Sequence, residues 1–72
     1  MQDFQQRVVD ENIELRNKLL KLIAFLITPK FAALPIEEQR RLQRQAKLMD
    51  LYAEVLTERI VAFQVEEADG NE

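Results

Sequence analysis

The sequence predicts an all-α protein, an antiparallel two-helix hairpin that assembles into a symmetric homo-oligomer. Two long segments repeat apolar residues with helical spacing, and one break containing Pro29 and Pro35 separates them. No segment alternates apolar and polar residues as a strand does. Because 72 residues suffice for only one small domain, we expect residues 1–65 to form that domain and residues 66–72 an acidic flexible tail.

The first helix is predicted over about residues 3–27. Asp3 is a favourable N-cap residue, and Glu14 and Lys18 stand four positions apart, a spacing that stabilises a helix. Pro29 ends this helix, because a proline disfavours helical backbone in the residue before it.

Residues 28–36 are predicted to turn the chain, with Phe31 and Leu34 folding back onto that end of the hairpin. Pro35 suits the first turn of a second helix, where Glu37 and Glu38 complement the helix dipole. This helix is predicted to run to about Val65, and the residues after position 67 are expected to fray.

The apolar residues of each helix spread over about 200° of its circumference, roughly twice what one packing partner covers. A lone hairpin would leave the surplus in water. Small domains solve this problem with disulfides, metals or oligomerisation, and the chain has no cysteine and no evident metal site. The sequence therefore predicts an obligate homo-oligomer.

The composition argues against an enzyme. Cysteine, histidine and serine are absent, which excludes Cys/His zinc sites and nucleophiles activated by histidine. The only side-chain hydroxyls belong to Thr28, Tyr52 and Thr57, and no histidine can serve as their base. We expect no catalytic residue, no metal and no cofactor.

Charge and hydropathy limit the kinds of binding partner that the sequence predicts. The longest apolar run, residues 22–27, is far too short to span a membrane, and no signal-peptide pattern is present, so a cytosolic protein is expected. Four of the 13 acidic residues lie in residues 66–72, which leaves ten basic against nine acidic residues before them. This near-neutral body is unlike a duplex-DNA binder, so neither DNA nor a membrane is an expected partner.

The polar face of the first helix carries five charged residues: Arg7, Glu11, Glu14, Lys18 and Lys21. It is either a solvated face with ion pairs or a phosphate-binding face, since no acid lies between Lys18 and Lys21 on their rim. Phe4 lies near the same edge of this helix face as Lys18 but about 21 Å away along the helix axis. We infer that only a neighbouring subunit could bring an aromatic ring and a lysine together.

Arg59 lies within the apolar arc of the second helix, with Tyr52 one heptad before it and Phe63 one turn after. A cation there is costly to bury unless it is paired. Either Arg59 forms a salt bridge at a subunit seam, or several copies surround an anionic ligand. The candidate salt-bridge partners are Glu11, Asp50 and Glu58.

Two other polar groups interrupt the pattern. Asn12 and Arg16 lie in the apolar arc of the first helix, and we interpret them as polar specificity elements of an oligomer seam. A basic cluster is interpreted as a solvated helix start and comprises Arg40, Arg41, Arg44 and Lys47.

An ordered set of residues over about residues 3–63 resembles a known family. It consists of Asp3-Phe-Gln-Gln-Arg-Val-Val-Asp-Glu, Glu14-Leu, Lys18, Lys21-Leu, Phe25-Leu, Lys30-Phe31, Leu34, Glu38-Gln-Arg-Arg-Leu, Gln45, Met49, Tyr52, Val55-Leu-Thr-Glu-Arg-Ile and Phe63. This set resembles the helical-hairpin domain shared by the phage anti-CBASS cyclic-nucleotide sponge and the phage anti-Thoeris sponge. The chain lacks the additional domain of the anti-Thoeris members and so is similar to the hairpin-only, anti-CBASS type.

The resemblance implies a homohexamer in the cytoplasm of the infected bacterial host that sequesters cyclic oligonucleotide signals without cleaving them. It implies cyclic-dinucleotide binding between subunits near Phe4 and on Lys18, with Lys21 the alternative lysine and Arg7 on the same face. It implies cyclic-trinucleotide binding where subunits converge on Arg59, flanked by Tyr52 and Phe63. The competing hypothesis is a helical homo-oligomeric protein-interaction module without a nucleotide ligand; a nucleic-acid-binding regulator is disfavoured by the charge balance.

Overall fold

The computed structural model describes the backbone of residues 2–70 and the side chains of residues 2–65. Three helices follow one another: α1 (Asp3–Leu26), α2 (Pro29–Ala32) and α3 (Ile36–Gly70). Successive contacts pair Phe4 with Phe63, Asn12 with Thr57 and Arg16 with Ala53, so α1 and α3 run antiparallel. The prediction of an all-α hairpin is confirmed, and no strand occurs among residues 2–70.

The N-terminus of α1 is capped one residue earlier than predicted. Gln2 is the N-cap residue, and its backbone N–H donates to Oε1 of Gln5 at 2.9 Å. Asp3 is instead the first helical residue, where its carboxylate complements the helix dipole. The expectation that Asp3 is the N-cap is therefore wrong, because the side chain of Gln5 accepts from the backbone of Gln2 and makes Gln2 the N-cap.

The turn between the long helices contains the short helix α2, which the sequence did not predict. Thr28 caps it, since Thr28 Oγ1 accepts from the N–H of Phe31 at 3.2 Å and donates to the carbonyl of Phe25 at 2.7 Å. Phe31 is buried and packs edge-to-face on Phe25, with ring centroids 6.1 Å apart. The prediction that Phe31 folds back onto this end of the hairpin is confirmed.

The beginning of α3 is tied to the same turn by a side chain. The amide Nε2 of Gln39 donates to the carbonyls of Leu34, at 2.8 Å, and Ala32, at 3.1 Å. Leu34 itself is half-buried, as its predicted position under the turn requires. These bonds satisfy carbonyls that a helix end would leave unpaired.

One face of α3 packs against α1, and its residues follow a heptad spacing that we call the inner seam. The seam is buried or half-buried and comprises Leu42, Ala46, Met49, Ala53, Leu56, Ile60 and Phe63. Ala53 and Leu56 are completely buried. The small side chains of Ala46 and Ala53 allow the backbones of the two helices to approach closely.

The C-terminal helix is longer than predicted. α3 continues to Gly70, five residues beyond the predicted end at Val65. Glu66, Glu67 and Ala68 are good helix formers, which favours this extension. The predicted fraying beyond Gly70 lies outside the described residues, and the division into a domain of residues 1–65 and a tail of residues 66–72 stays a prediction.

Many apolar side chains remain uncovered within one chain. Twelve large ones between residues 2 and 65 are 45% exposed or more, among them Ile27, Leu48 and Val55. This surplus agrees with the burial argument for an oligomer, which stays a prediction. No helix in the described part of the chain is long and apolar enough to cross a membrane.

Candidate ligand-binding site

The antiparallel packing brings Tyr52 of α3 level with the middle of α1. There it closes one side of a groove of about 280 Å³, the lysine groove, lined by Glu11, Glu14, Leu15, Lys18 and Tyr52. A lysine, two carboxylates and a phenol thus share one small concave surface. These groups can contact phosphate, N–H donors and the face of a base, respectively.

Lys18 and an aromatic residue therefore meet within a single chain. The inference that only a neighbouring subunit could bring them together is wrong. It considered Phe4, which lies on the same helix as Lys18, whereas the antiparallel return of α3 delivers Tyr52 to the lysine groove.

The hydroxyl of Tyr52 donates a hydrogen bond to Oε1 of Glu11. This hydrogen bond, followed by desolvation and the negative charge of Glu11, raises the pKa of Tyr52 above its ordinary value, while the positive charge of Arg59 lowers it. Tyr52 is 45% exposed, so its ring remains accessible although its hydroxyl has a partner.

Tyr52 also bounds a second, larger groove on the outer side of α3. This arginine groove has a volume of about 430 Å³ and is lined by Arg41, Arg44, Gln45, Leu48, Met49 and Tyr52. Arg41 forms an ion pair with Glu38 at 3.4 Å, and both arginines are exposed. Part of the basic cluster interpreted as a solvated helix start therefore borders a concave, largely apolar surface.

The open end of the hairpin carries an aromatic pair. Phe4 and Phe63 pack edge-to-face with ring centroids 5.5 Å apart. Phe4 remains 53% exposed, whereas Phe63 is half-buried. The sequence analysis grouped Phe63 with Arg59 at the trinucleotide site. In the structure Phe63 contacts Phe4, the aromatic residue of the predicted dinucleotide site.

Arg59 is exposed on α3. Across residues 2–65 it makes no ion pair with any of the three acids named as candidate partners, and Glu11 instead accepts from Tyr52. Within one chain, Arg59 is thus an exposed cation without an ion-pair partner among residues 2–65.

The other predicted cations stand apart from the grooves. Arg7 and Lys21 are both exposed, and among the described side chains neither lines the lysine groove or the arginine groove. Of the two candidate lysines, only Lys18 lines a groove that also contains an aromatic residue.

Asn12 and Arg16, interpreted above as elements of an oligomer seam, bond across the chain's own helix pair. Arg16 Nη2 donates to Thr57 Oγ1 at 2.7 Å and to the carbonyl of Ala53 at 3.4 Å. Arg16 Nε donates to Asn12 Oδ1 at 3.2 Å. Their role in the single chain is to join α1 to α3.

Sequence reasoning missed the partnership of Glu11 and Tyr52. Glu11 and Lys18 are seven residues apart and so share a face of α1, which the helical period does indicate. The residue that faces them across the hairpin depends on the axial register of α3, and no local pattern encodes that register. Chemically, the lysine groove offers binding groups without an activated nucleophile.

These features define a small helical protein with two open, mixed-charge grooves in its described part and no catalytic family match. The chain belongs to the Sequestin family, whose model matches residues 2–62. This membership confirms the resemblance to phage sponge proteins, and the family name indicates sequestration, a binding role rather than a catalytic one. Neither the curated proteins nor the solved structures gave a significant match.

Proposed function

We propose that this protein is a phage sponge that sequesters cyclic di- and trinucleotide immune signals without cleaving them and so blocks CBASS defence in the host cytoplasm. Membership of the Sequestin family supports sequestration. The observation that carries the choice of ligand is the lysine groove, where Lys18 and the accessible ring of Tyr52 stand side by side. A cation for phosphate and an aromatic ring for a base are the two contacts that a cyclic nucleotide needs.

The cyclic-dinucleotide site is assigned to Lys18, where the ring of Tyr52 in the same groove faces one base and Phe4 of a neighbouring subunit stacks on the other. Phe4 is suited to this role because about half of it stays exposed while Phe63 packs against it. Arg7 lies on the same face of α1 and would add positive charge for the second phosphate. Lys21 is the weaker alternative to Lys18, because it stands outside the groove that contains the aromatic ring.

The cyclic-trinucleotide site is assigned to Arg59, with Tyr52 and Phe63 on either side of it along α3. Arg59 is exposed and has no carboxylate partner among residues 2–65, so its guanidinium can meet a phosphate. Repeated copies of Arg59 around a symmetry axis match the repeated phosphates of a cyclic trinucleotide. A homohexamer would supply such copies and cover the exposed apolar residues of each chain.

Isothermal titration calorimetry with a panel of cyclic di- and trinucleotides tests this function, with linear dinucleotides of the same bases as matched controls. We expect at least one cyclic ligand to bind tightly and to be recovered intact by chromatography. A panel without any binder, or recovery of a cleaved product, would contradict the proposal.

The exposed apolar residues also favour a second candidate, a homo-oligomeric module that binds other proteins and no nucleotide. The same titrations separate the two functions, because this candidate requires that the whole panel fail while the protein remains a folded oligomer.

A further inference from the structure

The lysine groove carries more formal negative charge than positive. The ammonium group of Lys18 shares it with the carboxylates of Glu11 and Glu14. A groove that bound only the phosphates of a dinucleotide would carry the opposite balance, because a carboxylate repels a phosphate. Two carboxylates in this place favour an anionic ligand only if they meet hydrogen-bond donors on its uncharged part.

The two carboxylates differ in their partners. Oε1 of Glu11 accepts the hydrogen bond from the hydroxyl of Tyr52. Glu14 is exposed, and within residues 2–65 its carboxylate forms neither a hydrogen bond nor an ion pair, although Lys18 stands four residues away on the same helix. Both carboxylate oxygens of Glu14 are thus available to a ligand in the groove.

The groove brings the three groups that contact a nucleotide within one surface. Tyr52 bounds it from α3 with an accessible ring, and Glu14 and Lys18 line it from α1. Along the axis of α1, Glu14 and Lys18 are about 6 Å apart. A single nucleotide can therefore meet both, since the ribose separates its base from its phosphate.

Guanine is the base whose edge matches a carboxylate. Its N1–H and its 2-amino group are adjacent donors, and a carboxylate can accept from both at once. Adenine and cytosine place a ring-nitrogen acceptor beside the amino group, and uracil places its N–H between two carbonyls. With any of these three, one carboxylate oxygen faces a lone pair instead of a donor.

We propose that the carboxylate of Glu14 recognises a guanine base in the lysine groove, so that the preferred ligands are cyclic dinucleotides that contain guanine. The inference rests on the proposed function of this groove. Tyr52 supplies the stacking face, Lys18 contacts the phosphate, and Glu14 accepts from N1–H and the 2-amino group. These charge-assisted hydrogen bonds offset the repulsion between the carboxylate and the phosphates.

Titration calorimetry with cyclic di-GMP and cyclic di-AMP tests the specificity. We expect the parent protein to bind cyclic di-GMP at least about tenfold more tightly, because adenine leaves the carboxylate without its pair of donors. Cyclic di-IMP, whose base keeps N1–H but lacks the 2-amino group, should bind with intermediate affinity. Equal affinities, or a preference for cyclic di-AMP, would overturn this inference but not the proposed sequestration. A parent protein that binds none of the three would contradict the inference together with the cyclic-dinucleotide function.

Glu14→Gln tests the residue itself. An amide offers one donor and one acceptor, a pattern that adenine matches and the donor pair of guanine does not. We expect cyclic di-GMP to bind about tenfold more weakly than to the parent, and cyclic di-AMP at least as tightly. A carboxylate that acted only through its charge would repel both ligands alike. Its loss would then raise both affinities without changing their ratio, and that result would overturn the inference.

Glu54→Gln is the matched control, because it makes the same change at an exposed glutamate that lines neither groove. It should leave the ratio of the two affinities as in the parent. Circular dichroism and sedimentation of both variants check that fold and assembly are unchanged. A control variant that shifts the ratio as much as Glu14→Gln does would contradict the assignment to Glu14.

Discussion

The two seams of α3 lie side by side on one helix with the same spacing and opposite surroundings. The inner seam faces α1, and the row of exposed residues one position before it on α3 forms an outer seam. Ala46, Ala53 and Leu56 on the inner seam are at most 9% exposed, whereas Leu48, Tyr52 and Val55 on the outer seam are 45–58% exposed. The inner seam has small residues where α1 must come close, and the outer seam has larger residues and two arginines. The hairpin is therefore stabilised on one face, and the neighbouring face stays exposed in the single chain.

The largest effect is expected at Arg59. Arg59→Ala should abolish cyclic-trinucleotide binding and leave cyclic-dinucleotide binding largely intact, because the phosphates lose their guanidinium contacts. Thermal melting with and without each ligand measures this, since a bound ligand raises stability by mass action. Arg40→Ala, an exposed arginine outside both grooves, is the control. The opposite result has two parts: the parent protein binds no trinucleotide, and Arg59→Ala dissociates into subunits. Together they would show that Arg59 has a purely structural role.

Substitutions at adjacent positions compare the two seams directly. Leu56→Ala should lower the free energy of unfolding by about 3 kcal/mol, since it opens a cavity in the completely buried inner seam. Val55→Ala should cost less than about 1 kcal/mol in the hairpin itself. Denaturant unfolding over a dilution series measures both. A concentration-dependent loss of about 2 kcal/mol for Val55→Ala would show that assembly buries the outer seam as well.

A smaller loss is expected for Lys18. Lys18→Ala should weaken cyclic-dinucleotide binding by about 1.5–3 kcal/mol through loss of a charge-assisted phosphate contact. Helix content by circular dichroism should not fall, because alanine favours the helix. Lys21→Ala is the matched control, one turn away and outside the lysine groove. The reverse result, with Lys21→Ala the weaker binder, would move the site to Lys21.

The smallest effect concerns the phenol of Tyr52. It is the only tyrosine in a chain without tryptophan, so ultraviolet absorbance reports its ionisation directly. We expect a midpoint above the ordinary pKa of about 10, and a lower midpoint in Glu11→Ala but not in Glu14→Ala. Because folding raises this pKa, the hydrogen bond stabilises the fold below the unfolded pKa, and that contribution disappears as the pH rises through the folded pKa. An ordinary midpoint in the parent protein would mean that the contact does not persist in solution.

Local signals predicted the fold because each acts over a few residues. Pro29 and Pro35 set the turn, and the helical period predicted the two long helices and the apolar surplus on each. The signals gave Asp3 as the cap and missed α2, since side chains such as Gln5 and Thr28 can satisfy backbone groups in more than one way.

The candidate site was only half predictable for a different reason. Lys18 and Arg59 stood out as cations on identifiable helix faces. The contacts between the helices were not predictable in this way. Tyr52 lies in the groove of Lys18 and Phe63 packs on Phe4, and both pairings depend on how far α3 is shifted along α1. That shift is a property of tertiary packing, so the sequence grouped Tyr52 and Phe63 with Arg59 alone.

The hydrogen bonds of Arg16 bear on this shift. In the middle of the hairpin, one guanidinium joins Asn12 on its own helix to Thr57 and the carbonyl of Ala53 on the other. Sliding the helices past each other by one turn, about 5.4 Å, would break both bonds to α3 and return their donors to water. Apolar packing tolerates such shear better than directional bonds do. The hydrogen bonds of Arg16 thus help to fix the axial position of α3, and with it the spacing between Lys18 and Tyr52, before any ligand enters the groove.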